Sequence, residues 1–159
     1  MAALTDKKII DKDTKHNLLK SPSGVKMANV EIIKLFACLE QMIASEPYRN
    51  RNVKNIEIKG RICLIGFKKY SAQLVWETKY KNTLEDSRLC LRIWKGIPSR
   101  KFCLTPYFRK PRIILERIFT FDLNQKATGE WREQGSSSAI NSEKLARNCI
   151  EFLITACQG

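Results

Sequence analysis

Apolar residues recur at helical spacing near both ends of this sequence. From Asn29, a suitable N-cap, they lie three or four positions apart, which predicts an amphipathic helix that ends before Pro47. A second helix is predicted from Asn141 or Ser142, and Glu143 in its first turn suits the helix dipole. The predicted apolar faces are Ile32, Leu35, Phe36, Leu39, Met42 and Ile43 in the first helix, and Leu145, Cys149, Ile150, Leu153 and Cys157 in the second.

Between these helices the apolar period changes to two, which is typical of half-buried strands. In the segment 88–94, for example, three aliphatic residues alternate with two arginines, a cysteine and a tryptophan. The segment 112–123 is apolar on both faces, so it is the expected central strand. The pattern predicts strands at 56–64, 73–80, 88–94, 100–108 and 112–123, and a short strand around Trp131.

The order of these elements predicts the fold class. An N-terminal helix, five to six mostly antiparallel strands and a C-terminal helix give a two-layer α+β domain, in which two helices cover only one face of the sheet. Residues 1–28 lack a sustained apolar period and contain a Ser-Pro-Ser-Gly loop signature, so they are predicted to form a flexible tail. Residues 29–159 are then a single domain of ordinary size.

The cysteines and the single histidine limit the possible chemistry. Six cysteines are spread singly, with no C-x-x-C pair, and the N-terminus lacks a signal peptide pattern, so we expect reduced thiols in a cytoplasmic protein. His16 lies in the predicted tail, which leaves a catalytic triad without a base and zinc without paired ligands. No glycine-rich phosphate loop and no long apolar run occurs. We therefore expect no cofactor and no transmembrane segment.

Positive charge is concentrated in the middle of the chain. The formal net charge is +13. Residues 88–117 contain nine lysines and arginines against one acid, Glu116, and residues 49–81 contain nine against two. A concentrated positive field attracts polyanions and speeds their capture.

The alternation places several of these basic residues on one face of the predicted sheet, together with two aromatic rings. Cations hold phosphates and flat rings stack on bases, so this face predicts a non-enzymatic nucleic-acid-binding domain, for either RNA or DNA. The densest cluster, Arg109-Lys110-Pro111-Arg112, favours an extended link suited to phosphate contacts. The predicted binding residues are Arg61, Arg88, Arg92, Trp94, Lys101, Tyr107, Arg109, Lys110 and Arg112, and Lys59 and Lys79 lie on the same predicted face.

Other interpretations of the same residues remain open. The basic residues also fit an ordinary solvated face, an adaptor that docks on an acidic protein surface, or a contact with an acidic membrane surface. Glu57, Glu77 and Lys79 lie in two E-x-K patterns on predicted strands, and two carboxylates with a lysine are the components of a metal-dependent nuclease. A thiol flanked by arginine, Cys90 or Cys103, would be reactive if its pKa were lowered.

Overall fold

The computed structural model describes residues 12–45, 53–79, 83–95, 113–124, 126 and 128–157. Three helices and seven strands lie in these ranges. In chain order they are α1 (Lys12–Lys20), α2 (Pro22–Ala44), β1 (Val53–Lys59), β2 (Ile62–Phe67), β3 (Tyr70–Glu77), β4 (Arg88–Lys95), β5 (Ile113–Leu123), β6 (Gly129–Glu133), β7 (Ala139–Ile140) and α3 (Ser142–Ala156).

The seven strands form one antiparallel sheet in which each strand pairs with its neighbours in sequence. Helices α2 and α3 pack against each other and against one face of this sheet, which we call the inner face; the other face is the outer face. The core between them includes Ile32, Leu35, Phe36 and Leu39 of α2, Leu145, Cys149, Ile150 and Leu153 of α3, and Leu74, Leu91, Phe121 and Trp131 of the sheet. The fold is therefore a single α+β domain, as predicted.

The first long helix begins earlier than the sequence pattern predicted. Helix α2 starts at Pro22 and not at Asn29, because Ser21 is its N-cap and accepts a hydrogen bond from the amide of Gly24 at 3.4 Å. A proline at the first helical position is pre-organised for a helix, so the Ser-Pro-Ser-Gly sequence is a helix start and not a loop. The predicted tail thus contains α1 and the first turns of α2, whereas residues 1–11 lie outside the described ranges.

The strand boundaries also differ from the prediction, most clearly at the first predicted strand. The segment 56–64 is divided by a turn at Gly60, whose φ of +56° is readily adopted by glycine. In an unbroken strand over 56–64 Cys63 would share the face of Lys59, but after this turn it points to the inner face and is buried. The short strand β7 was not predicted, and the predicted strand 100–108 lies outside the described residues.

A buried polar chain joins both long helices to the sheet. The indole Nε1 of Trp131 donates to Ser142 Oγ at 2.9 Å, and Ser142 Oγ donates to Glu31 Oε2 at 2.5 Å. Gly129 permits this close packing, because an added Cβ would lie 2.8 Å from Glu31 Cγ and 2.7 Å from Phe121 Cε2. The contact fixes α2, α3 and β6 relative to one another.

Neither a disulfide nor a membrane-spanning helix is found in the described ranges. The five cysteines described there are free thiols: Cys38, Cys63, Cys90, Cys149 and Cys157. Burial raises the pKa of Cys63 and of Cys149 to about 12, so both are protonated near neutral pH. No helix in this part of the chain is long and apolar enough to cross a bilayer.

Candidate nucleic-acid interface

The outer face of the sheet carries some of the cations predicted to bind nucleic acid. On β4, Arg88 and Arg92 point to this face, while the intervening aliphatic residues point to the core. Across from them on β3, Glu77 pairs with Arg88 and Gln73 pairs with Arg92 in the strand register. The alternation in 88–94 was therefore predicted correctly, and it places two of the predicted arginines on one face, four residues apart.

These two arginines are neutralised by carboxylates on both neighbouring strands. Glu77 of β3 accepts from Arg88 Nε at 3.1 Å and from Arg92 Nη2 at 2.7 Å. Glu116 of β5 accepts from Arg92 Nε at 2.6 Å. An incoming phosphate would have to displace these carboxylates, so the outer-face arginines form a structural network more than an open anion site.

Because of this network, the stability of the domain depends on pH. Partial burial alone would raise the pKa of Glu77, but hydrogen bonds from Arg92 and Arg88 outweigh this and hold it below its ordinary value of 4.5. The ionised carboxylate therefore stabilises the folded state above the unfolded pKa. This contribution is lost as the pH falls through the lower, folded pKa.

Replacing Glu77 with glutamine tests this dependence. We expect E77Q to be less stable than the wild type by a constant amount near neutral pH, and the difference to shrink below about pH 4.5 as the wild-type carboxylate becomes protonated. Urea unfolding followed by circular dichroism at a series of pH values measures it. A difference between the two proteins that does not change with pH would contradict the ion-pair account.

Of the other predicted binding residues, the structure describes Trp94 and Arg61. Trp94 lies on the outer face but is only 7% exposed, so a base cannot stack on its ring in this conformation. Arg61 lies in the β1–β2 turn and donates from Nη1 to Thr78 Oγ1 at 3.3 Å. Lys101, Tyr107, Arg109, Lys110 and Arg112 lie outside the described residues.

The thiol of Cys90 does not have the properties of a reactive cysteine, although two arginines flank it. It is buried on the outer face between Arg88 and Arg92, and burial is the main cause that raises its pKa to about 11. Glu77, whose Oε2 is 3.6 Å from the Cys90 sulfur, raises the pKa further and opposes the two arginines. Cys90 is therefore a buried structural cysteine and not the reactive alternative, while Cys103 lies outside the described residues.

The carboxylates considered for a nuclease centre do not lie together. In the strand register Glu57 of β1 is level with Gln73 of β3, so Glu57 and Glu77 are two strands and four residues apart. Standard strand dimensions give about 16 Å between their Cα atoms. Lys79 pairs with Asp86 at 3.6 Å. Among the residues that the structure describes, no group of three or more His, Cys, Asp or Glu side chains could hold a metal ion.

One end of the sheet combines basic residues from several strands, and we call it the basic end. It comprises Lys68 and Lys69, which join β2 to β3, and Lys95 at the end of β4. Lys95 is the register partner of Tyr70, the residue after Lys69. The three lysines are exposed, and within the described ranges no carboxylate lies within ion-pair distance of them.

The basic segments of the sequence also start or finish at the basic end. Val53, the partner of Phe67, follows residues 46–52, which contain two arginines and one glutamate. Lys95 and Ile113 flank residues 96–112, which contain five basic residues and no acid. Of the predicted binding residues, Lys101, Arg109, Lys110 and Arg112 belong to this second segment.

Sequence reasoning did not single out the three lysines of the basic end. The sequence does contain a signal for a basic turn, because the pair Lys68-Lys69 lies between two short apolar alternations. The predicted strand ended at residue 64, so the end of β2 at Phe67 and the turn after it were not predicted. At the opposite end of the sheet, by contrast, Lys59 pairs with Glu57 at 3.4 Å and Lys79 pairs with Asp86. Within the described ranges, Lys59 and Lys79 are thus neutralised by carboxylates, whereas the three lysines of the basic end are not.

Comparisons of the chain with protein-family models, with curated proteins and with solved structures gave no match. The arrangement of charge on the fold is thus the basis for a functional proposal. The main feature of this arrangement is a contrast within the described residues: the outer-face arginines are paired with carboxylates, and the lysines of the basic end are not.

Proposed function

We propose that this protein is a nucleic-acid-binding domain that contacts backbone phosphates through its basic end. The observation that carries the proposal is the position of Lys68, Lys69 and Lys95 on neighbouring strand ends, exposed and without a carboxylate partner in the described part of the chain. The segments that adjoin this end add seven more lysines and arginines, namely Arg49, Arg51, Arg100, Lys101, Arg109, Lys110 and Arg112.

The chemistry of these residues favours a polymer with regularly repeated negative charge. Lysine is a flexible point charge, so a row of lysines adapts to successive phosphates without requiring one fixed ligand geometry. Such contacts carry no base information, and binding should therefore be nearly independent of sequence. RNA and DNA are both suitable ligands on this argument.

The proposed contact surface is the basic end, whereas the sequence predicted the outer face of the sheet. Arg88 and Arg92 would each have to exchange a carboxylate for a phosphate, whereas the three lysines have no such partner to lose in the described ranges. Trp94 is left out because it is buried. Tyr107 lies in the adjoining segment and stays a predicted stacking residue.

Two double substitutions at the opposite ends of β2 test this assignment. K68A/K69A removes two charges from the basic end, and K59A/R61A removes two charges from the β1–β2 turn at the other end. We expect K68A/K69A to weaken binding about tenfold at low salt and to reduce the slope of log affinity against log salt by about two, because two phosphate contacts are lost. Fluorescence anisotropy with single- and double-stranded probes measures both quantities.

The control distinguishes a site from a general charge effect. Because both variants lose the same charge, K59A/R61A should retain nearly the wild-type affinity and salt slope. Equal losses in the two variants would overturn the assignment to the basic end. Absence of binding to every probe, with an acidic protein co-purifying at low salt and no absorbance excess at 260 nm, would replace the proposal with the adaptor interpretation.

A further inference from the structure

Exposed aliphatic side chains are concentrated beside the basic end. Ile113, Ile114 and Leu115, at the start of β5, are 49%, 48% and 41% exposed. They are three of the six large apolar side chains that are exposed in the described part of the chain. Isolated surface aliphatics are ordinary, but three in succession require an explanation. Leu115 shares the inner face with its partner Ile93, so we call Ile113 and Ile114 alone the aliphatic patch.

The strand register explains why these side chains are exposed. Leu115 pairs with Ile93 and Ile113 pairs with Trp94, so the register shifts by one residue and Ile114 is the extra residue of a β-bulge. On its other side β5 pairs with β6 only from Phe119 onward, so no strand in the described ranges lies beside its first residues.

The patch and the lysines lie along the same end of the sheet. Lys95 follows Trp94, the partner of Ile113, and is itself the partner of Tyr70 next to the Lys68-Lys69 turn. Two strand spacings, about 10 Å, therefore separate the aliphatic patch from that turn. The surface thus combines exposed cations with exposed branched aliphatic groups within the reach of one binding partner.

We infer that the basic end also docks on anionic membrane surfaces, with Ile113 and Ile114 entering the headgroup region. Lysine stems lie along apolar surface while their ammonium groups reach anionic headgroups, and neighbouring aliphatic side chains enter the boundary between headgroups and acyl chains. A bilayer supplies both the negative charge and an apolar layer. The phosphodiester backbone supplies only the charge, so the aliphatic patch goes beyond the proposed function, although the lysines are shared with it.

Co-sedimentation with vesicles tests the inference. The probes are vesicles of phosphatidylcholine alone and vesicles containing about one third phosphatidylserine. We expect the wild type to bind only the anionic vesicles, and I113S/I114S to bind them about tenfold more weakly because the apolar contribution is lost. The matched control is V30S/I33S, which removes two exposed aliphatic residues from α2 and should bind like the wild type.

The variants separate this inference from the proposed function. I113S/I114S should retain nucleic-acid binding, whereas K68A/K69A should weaken binding to both nucleic acid and anionic vesicles. The inference is overturned if the wild type does not sediment with anionic vesicles, or if V30S/I33S loses as much binding as I113S/I114S. Nucleic-acid binding that is unaffected by K68A/K69A would overturn the proposed function alone.

Discussion

Replacing Trp131 with alanine is expected to lower the free energy of unfolding by about 3–5 kcal/mol, the usual cost of truncating a large buried aromatic residue. Trp131 is fully buried, and its ring makes edge-to-face contacts with Trp76 at 5.6 Å and with Phe121 at 5.3 Å between centroids. The substitution opens a cavity where β6 meets both long helices. It also removes the hydrogen bond to Ser142.

A comparison of W131A with W131F separates the cavity from the hydrogen bond. Phenylalanine keeps much of the ring volume but has no N–H, so we expect W131F to cost about 1–2 kcal/mol. Urea unfolding monitored by far-ultraviolet circular dichroism is the suitable measurement, because the substitutions alter tryptophan fluorescence directly. Equal costs for the two variants would mean that ring volume at this position contributes little to stability.

Replacing Arg117 with methionine is expected to destabilise the domain by about 1–3 kcal/mol, since it leaves a partly buried carboxylate without its partner. Arg117 lies on the inner face, opposite Leu91 in the strand register, and it donates from Nε and Nη2 to the two carboxylate oxygens of Glu133 at 2.5 Å. Its guanidinium also lies 4.7 Å from the ring centroid of Phe152 on α3 and 5.7 Å from that of Phe119.

The double variant R117M/E133Q shows how much of this cost arises from the unpartnered carboxylate. Glutamine carries no charge, so we expect the double variant to be more stable than R117M alone. Urea unfolding of the wild type, both single variants and the double variant gives a double-mutant cycle, which measures the coupling free energy between Arg117 and Glu133. If the double variant were as unstable as the sum of the two single variants, the proposed coupling between these residues would be wrong.

The sequence predicted those elements whose apolar period was uninterrupted. Strand β4 and helix α3 lie where the alternation and the predicted cap at Asn141 or Ser142 placed them, because each has one continuous apolar face. The pattern does not separate β1 from β2, because the apolar alternation continues through Gly60, where a turn reverses the chain. The start of α2 was missed because a capping serine followed by proline has the composition of a loop.

The charge pattern gave a correct inventory of cations but not their partners. Glu116 was the single acid in a strongly basic stretch, and the sheet brings it to Arg92, 24 residues away in sequence. Glu77, which lies on β3, likewise contacts two arginines of the next strand, β4. Pairing across strands depends on register, which a count of charges along the chain does not contain, so the neutralisation of the outer face could not be predicted.

The order of the strands has a consequence for how this chain acquires its structure. Each described strand pairs with the next described strand along the chain, so strand pairing relies mostly on local contacts with small losses of loop entropy. The contact between Glu31 and Ser142 instead joins residues 111 positions apart. We therefore expect the two long helices to dock late in folding. Until α3 has been synthesised, the inner face of the sheet stays partly exposed and is therefore prone to aggregation.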